Sequence, residues 1–151
     1  AASIRYPELQ RYLEEHRIAV SDLTSVRSAV IAIRKRKGMV IDPSDPDTRS
    51  DGSFFMNPVI PARDLGDFAG PSYPAGEGQV KLSAAWLIEN AGFQKGFTHG
   101  NVGLSSKHSL AIINRGGGTA AEVKELVAMI QGGVRDRFGV ELHPEPNFIG
   151  F

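Results

Sequence analysis

The sequence predicts an α+β domain in which a small sheet, mostly antiparallel or mixed, packs in two layers on helices. Three observations lead there. Apolar residues recur at helical spacing in separate stretches. The short β-like runs between them are joined by long loops rich in Pro, Gly and Asp. Helices and strands alternate too loosely for a doubly wound parallel sheet. With 151 residues the chain has the length of one domain and can bury a core without staples. Residues 1–151 are therefore read as a single domain whose first forty residues are a helical lead-in.

Taken in order, the first helix runs from Tyr6 to Glu15, with Pro7 at a favourable first-turn position and Leu9 and Leu13 as its packing residues. A second follows the cap candidates Ser21 and Asp22, carries Val26, Ala29, Val30 and Ile33 on one face, and stops at Gly38. Its last turn, Arg34-Lys35-Arg36-Lys37, puts cations where the helix dipole favours them, which a solvated helix end explains without any ligand. Asp42 to Asp51 has the composition of a mobile turn-rich loop. Phe54 to Ile60 is expected to be a strand, and Pro61 to Gly78 a long irregular segment with Tyr73 near its centre, either as a ligand contact or as a pin for the loop. Ser83 to Ala91 reads as a short helix anchored in the core by Trp86 and stopped by Gly92. A Gly-rich polar stretch leads to a strand at Ser109–Asn114. Thr119 and Glu122 then form a capping box for a long helix whose core face is Val123, Leu126, Val127, Ile130, Val134 and Phe138. Gly132-Gly133 inside it implies close approach to a neighbour or a local break. Val140–His143 is the last expected strand.

Composition excludes several functions. There are 17 basic and 17 acidic residues, a formal net charge of zero, so the chain is no polyanion-coating protein and no nucleic-acid partner is expected. The absence of cysteine removes disulfides, thiolate metal sites and a Cys nucleophile. No apolar run approaches the ~20 residues of a membrane span and no signal-peptide pattern is present. A soluble, cytoplasmic protein with no membrane partner is the expectation. The chain opens Ala1-Ala2-Ser3 instead of with Met, as a processed product or a cut segment would.

The densest chemistry lies in Asp51-Gly52-Ser53-Phe54-Phe55-Met56-Asn57-Pro58. Adjacent aromatics can seal an apolar wall, Gly52 lets backbone pass close to a ligand, and Pro58 ends the strand. Ser53 would then be a hydroxyl held in a rigid place, suited to donating a proton. The plainer alternative is a buried strand with a solvent-facing Ser. Other signals carry less. Gly116-Gly117-Gly118 before a capped helix has the look of a phosphate cradle but lacks a dinucleotide or Walker pattern, so a plain turn is favoured. His16, His99, His108 and His143 include no i, i+4 pair, which argues against a metal site. A hydrolase triad built on Ser53 lacks G-x-S-x-G.

The blocks KGMVIDPSDPDTRSDGSFFMNPVI, YPAGEGQVKLSAAWLIENAGF, KGFTHGNVGLSSKHSLAIIN and FGVELHPEPNFIG together resemble the carboxyl-terminal half of the UDP-N-acetylenolpyruvoylglucosamine reductase (UDP-N-acetylmuramate dehydrogenase) family, in register from about Ile4 to Gly150 and closest to the actinobacterial style. The resemblance implies a flavoenzyme of peptidoglycan precursor synthesis, in which NADPH reduces FAD and the flavin delivers hydride to the enolpyruvyl double bond of UDP-N-acetylglucosamine enolpyruvate. It implies Ser53 as proton donor and Glu145 as catalytic carboxylate, with Lys37, Asn57, Tyr73, Lys95 and His108, and more weakly Lys81, contacting the UDP-sugar. FAD would be bound mainly by an amino-terminal domain absent from these residues; no flavin-binding residue is assigned here, and the segment alone is expected to be inactive. An interface left uncovered by that domain would favour self-association. Departures from the family pattern fall at Asp51, Met56, His108, His143 and Pro146. Two further readings remain: a non-catalytic UDP-sugar-binding module, which has no need of a proton donor, and a purely structural domain.

Overall fold

The computed structural model describes residues 4–19 and 22–150. In chain order these form α1 (Pro7–Glu15), α2 (Leu23–Arg36), β1 (Val59–Pro61), β2 (Ser72–Pro74), β3 (Gln79–Leu82), α3 (Ala84–Asn90), β4 (Thr98–His99), β5 (Val102–Leu104), β6 (Ile112–Asn114) and α4 (Ala120–Phe138). The expected α+β class holds, with the sheet divided into two antiparallel three-stranded sheets, β1-β3-β2 and β4-β5-β6. Ser21, one of the two cap candidates, and Ala1–Ser3 lie outside the described residues.

Helix ends follow local chemistry. Asp22 accepts the Ser25 N–H at 2.7 Å, Ser83 accepts that of Trp86 at 3.3 Å, and Thr119 with Glu122 closes the full capping box. Each satisfies an amide that the helix itself leaves without a partner. At the other end of α2, Gly38 takes φ +69° and lets the Met39 N–H return to the Arg34 carbonyl at 2.9 Å.

The main core joins Phe54, Phe55, Leu82, Leu87, Ile88, Val102, Leu104 and Ile112 to the buried face of α4, Leu126, Val127, Ile130 and Val134. Burying each Leu or Ile is worth ~1.5–3 kcal/mol. Val123 and Phe138 are only partly buried at the ends of that face, and Trp86 sits at the core's edge, its ring centroid 4.9 Å from Phe68 and 5.5 Å from Phe138. α4 is unbroken at Gly132-Gly133. Close approach explains one of the pair, since a Cβ on Gly133 would lie 2.7 Å from the Phe93 ring. Leu13, Ala29 and Ile33 of the lead-in helices are buried outside this cluster.

Five expected segments differ. The strand foreseen over Phe54–Ile60 is a ladder only from Val59; before it, Ser53 and Phe55 make single bridges to Ala111 and Pro144. The segment changes partner within two residues, so no regular ladder builds. Val140–His143 is likewise not a strand, and the foreseen strand at Ser109 begins at Ile112. The segments read as irregular, 61–78 and the Gly-rich stretch before Ser109, contain β2, β4 and β5. These strands span two or three residues, too few to show a period of two.

Candidate active site

The site is built on Gly52–Asn57. Successive side chains of extended backbone point to opposite faces. Phe54 and Phe55 are both buried, their rings edge-on at 5.3 Å, so the segment is covered on both sides. Its backbone is tied to two separate segments. The Phe54 N–H donates to the Leu110 carbonyl at 2.8 Å; the Phe54 carbonyl accepts from the Glu145 N–H at 2.8 Å; the Met56 N–H donates to His143 O at 3.0 Å. These three bonds bring Ser53, Glu145 and the turn carrying His108 to one place.

They open on a cleft of about 1440 Å³ lined by Ser53, Glu145, Asn57, His108 and Lys37, with Tyr6, Glu8 and Leu9 of α1 across from them. Ser53 is half-buried, and no group among the described residues bonds its hydroxyl. His108 accepts the Leu110 N–H at Nδ1, 3.2 Å away, which leaves the proton of the neutral ring on Nε2. Burial, reinforced by the charges of Lys37 and Lys95, pushes its pKa below the usual histidine value and favours that neutral form. Asn57 uses its carbonyl oxygen to accept the Ala84 N–H at 2.9 Å, at the start of α3, so its two amide donors are what it can offer a ligand. Lys37, at the C-cap of α2, is paired with Glu8 of α1 at 2.6 Å, a partner that an anionic ligand must displace.

The remaining predicted residues do not line this cleft. Lys95 lies 4.0 Å from Glu89, yet its charge is felt at His108, so it stands toward that end. Tyr73 and Lys81 are directly opposite each other in the β2–β3 register and both are exposed, forming a pair on the hairpin. Glu8 and Asp51 are cleft residues to which the sequence assigned no role. Nothing in spacing links Glu8 to Lys37, while Asp51 was visible only as an oddity of the motif. Burial raises the Asp51 pKa, and the neighbouring Glu145 charge adds to the effect. The triple-glycine turn is filled from within: Asn114 Oδ1 accepts the N–H groups of Gly116 and Gly118 at 2.9 and 3.0 Å, and Glu122 takes that of Thr119. Among the described residues no three His, Asp or Glu side chains gather as metal ligands, and no helix is long and apolar enough to cross a membrane.

Residues 42–149 match the family model described as UDP-N-acetylenolpyruvoylglucosamine reductase, C-terminal domain. The chain belongs to this family. Among curated relatives, the UDP-N-acetylenolpyruvoylglucosamine reductase of Thermobifida fusca (strain YX) is 48% identical over 97% of the chain and 45% of the relative's own length. That of Saccharopolyspora erythraea is 46% identical over 97% of the chain and 44% of the relative, and that of Mycobacterium tuberculosis (strain H37Rv) 47% identical over 99% and 44%. The chain thus spans less than half the length of these reductases. The family model covers Ser53, Glu145 and His108 but begins after Lys37, whose helix is matched by the relatives alone.

Proposed function

We propose that the chain is the substrate-binding and proton-donating part of a cytoplasmic flavoenzyme that reduces UDP-N-acetylglucosamine enolpyruvate to UDP-N-acetylmuramate with NADPH, in peptidoglycan synthesis. The observation that carries this reading is the convergence of Ser53, Glu145, Asn57, His108 and Lys37 on one cleft. At about 1440 Å³ it exceeds the ~300–1000 Å³ of an ordinary small-molecule site, room for a nucleotide sugar beside a flavin ring. Bound flavin, reduced by NADPH, supplies the hydride; a domain outside these residues holds most of it.

The chain's own residues do the rest. Hydride addition at one carbon of the enolpyruvyl double bond leaves the electron pair on its neighbour as an enolate. That carbanion is basic enough to take the proton of the Ser53 hydroxyl, which no group among the described residues bonds. Ser53 is held by its bridged backbone, so the proton is delivered from a fixed point. Glu145 reaches the cleft from a separate segment, its backbone bound to Phe54 and stiffened by the neighbouring Pro144 and Pro146, and assists at the enolpyruvyl group. Lys37 offers charge to the diphosphate in place of Glu8, and the His108 Nε2–H and the Asn57 amide are donors for polar edges of the sugar nucleotide. Lys95 reinforces that field from outside the cleft, and Tyr73 with Lys81 on the hairpin is positioned to close over the ligand only if the hairpin moves.

The test is a calorimetric titration of UDP-N-acetylglucosamine enolpyruvate into the chain. Saturable binding is expected, weakened roughly ten- to a hundredfold by Lys37→Ala through loss of a charged contact. In the flavin-loaded reductase carrying this segment, Ser53→Ala should retain binding and lower kcat by ~10²–10⁴. Unchanged turnover in Ser53→Ala would remove the proton-donor role, and NADPH oxidation by the 151-residue chain alone would contradict the division of labour.

A further inference from the structure

The loop read from sequence as mobile, Asp42–Asp51, is pinned throughout, and its centre is a buried carboxylate with no assigned task. Asp47 is 6% exposed. Its Oδ1 accepts the Ser106 N–H at 3.1 Å and its Oδ2 the Ser106 hydroxyl at 2.5 Å. The other side of the residue faces the end of α2: a Cβ on Gly38 would stand 3.2 Å from the Asp47 carbonyl oxygen and 3.3 Å from its Cβ, and Gly38 adopts φ +69°, so only glycine fits there. The flanks are tied as well. The Asp47 N–H donates to Asp45 Oδ1, Asp45 pairs with Lys107, and the Arg49 carbonyl accepts the Asn114 N–H of β6 at 3.0 Å.

Asp47 therefore touches the residue after Lys37 on one side and the residue two before His108 on the other. Lys37 and His108 line the same cleft from different parts of the chain, and among the described residues no hydrogen bond joins their side chains. Burying a carboxylate is costly, and a buried ionic contact is weak grounds for stability alone. A fixed spacing between binding groups is a return that stability does not explain.

We propose that Asp47 is a positioning residue for the nucleotide-sugar cleft, setting the distance between Lys37 and His108 before the ligand arrives. Its carboxylate holds the Ser105–Leu110 turn through Ser106, and its backbone carbonyl and Cβ stand closely against Gly38 at the end of α2. The inference rests on the reading of the cleft as the UDP-sugar site.

The experiment is steady-state kinetics on the intact flavin-loaded reductase, with calorimetric Kd for UDP-N-acetylglucosamine enolpyruvate, for Asp47→Ala, Asp47→Asn, Ser106→Ala and the exposed-pair control Lys107→Ala. Loss of positioned binding contacts acts on ground state and transition state alike, so Asp47→Ala should raise KM for the sugar nucleotide by about tenfold or more with kcat changed less than about threefold. KM for NADPH stays as it is. Asp47→Asn, which still accepts the Ser106 N–H, and Ser106→Ala, which keeps that N–H, should fall between Asp47→Ala and wild type; Lys107→Ala should stay within about twofold. A folded, flavin-loaded Asp47→Ala with KM within about twofold of wild type overturns the proposal, as does a fall in thermal stability and flavin content with no change in KM. If Asp47→Ala does not fold, unchanged KM in both Asp47→Asn and Ser106→Ala overturns it. Lys37→Ala and Ser53→Ala separate the two readings: if neither affects sugar-nucleotide binding or turnover, the cleft assignment fails and takes this inference with it; if they do and the Asp47 set does not, this inference alone fails.

Discussion

Single residues in the cleft are tuned by what surrounds them, and Asp51 shows the sign of the effect. Burial and the Glu145 charge raise its pKa above the ordinary 3.8, so its ionised form is disfavoured in the folded state. A carboxyl shifted this way stabilises the fold most when protonated, below 3.8, and stability is lost as pH rises through the higher folded pKa. Asp51→Asn should therefore raise the melting temperature at pH 7, with the advantage shrinking as scanning calorimetry is repeated down to pH 4. The same variant should bind the anionic sugar nucleotide more tightly than wild type, because a negative charge leaves the cleft lined by Lys37. A lower melting temperature at pH 7 would mean that the Asp51 carboxylate has a partner worth more than its burial costs. His108 shifts the other way from its ordinary 6.5: its depressed pKa means that stability present above 6.5 is lost as pH falls.

At the level of elements, what was legible in the sequence was what is local. The Thr119–Glu122 box, the Asp22 cap and the Gly38 stop each act within a few residues, and each stands where the pattern put it. The core face of α4 was legible because 3.6-residue periodicity over nineteen residues is a strong signal. The hairpins β2–β3 and β4–β5 were not, since their strands are too short to repeat, and neither was the Glu8–Lys37 pair, which joins different helices. Of the site, the resemblance named Ser53 and Glu145, but their meeting depends on the backbone bonds of Phe54 to Leu110 and Glu145, which no motif encodes. Tyr73 and Lys81, which the resemblance assigns to the sugar nucleotide, are also register partners on the β2–β3 hairpin, a pairing that no motif announces. The double glycine of α4 offers an element-scale test. Gly133→Val should collide with Phe93 and cost about 1–3 kcal/mol, lowering the melting temperature by about 2–4 °C per kcal/mol, whereas Gly132→Ala, with nothing within 4 Å, should raise it. Equal effects of the two would refute the close-approach account of Gly133.

Across the whole molecule, large apolar side chains remain in water: Ile41 is 89% exposed, Ile149 87% and Tyr6 77%. Tyr6 and Ile41 both border the cleft, an exposed apolar rim of the kind an interface covers. Sedimentation velocity of the chain alone should show concentration-dependent self-association that Ile41→Lys reduces; a monomer at all concentrations would argue that this surface is tolerated bare. The tie of Phe54 to both Leu110 and Glu145 has a consequence in time as well as space. Caps and hairpins close between neighbours in sequence, but the segment carrying Ser53 is fixed only when Leu110 and Glu145, both distant along the chain, have reached it. Breaking the Glu145–Phe54 bond would leave the helices and both sheets with their partners, and would loosen Glu145 together with the segment that carries Ser53. The candidate site should therefore be among the later parts of this fold to assemble, because its contacts span long separations in sequence.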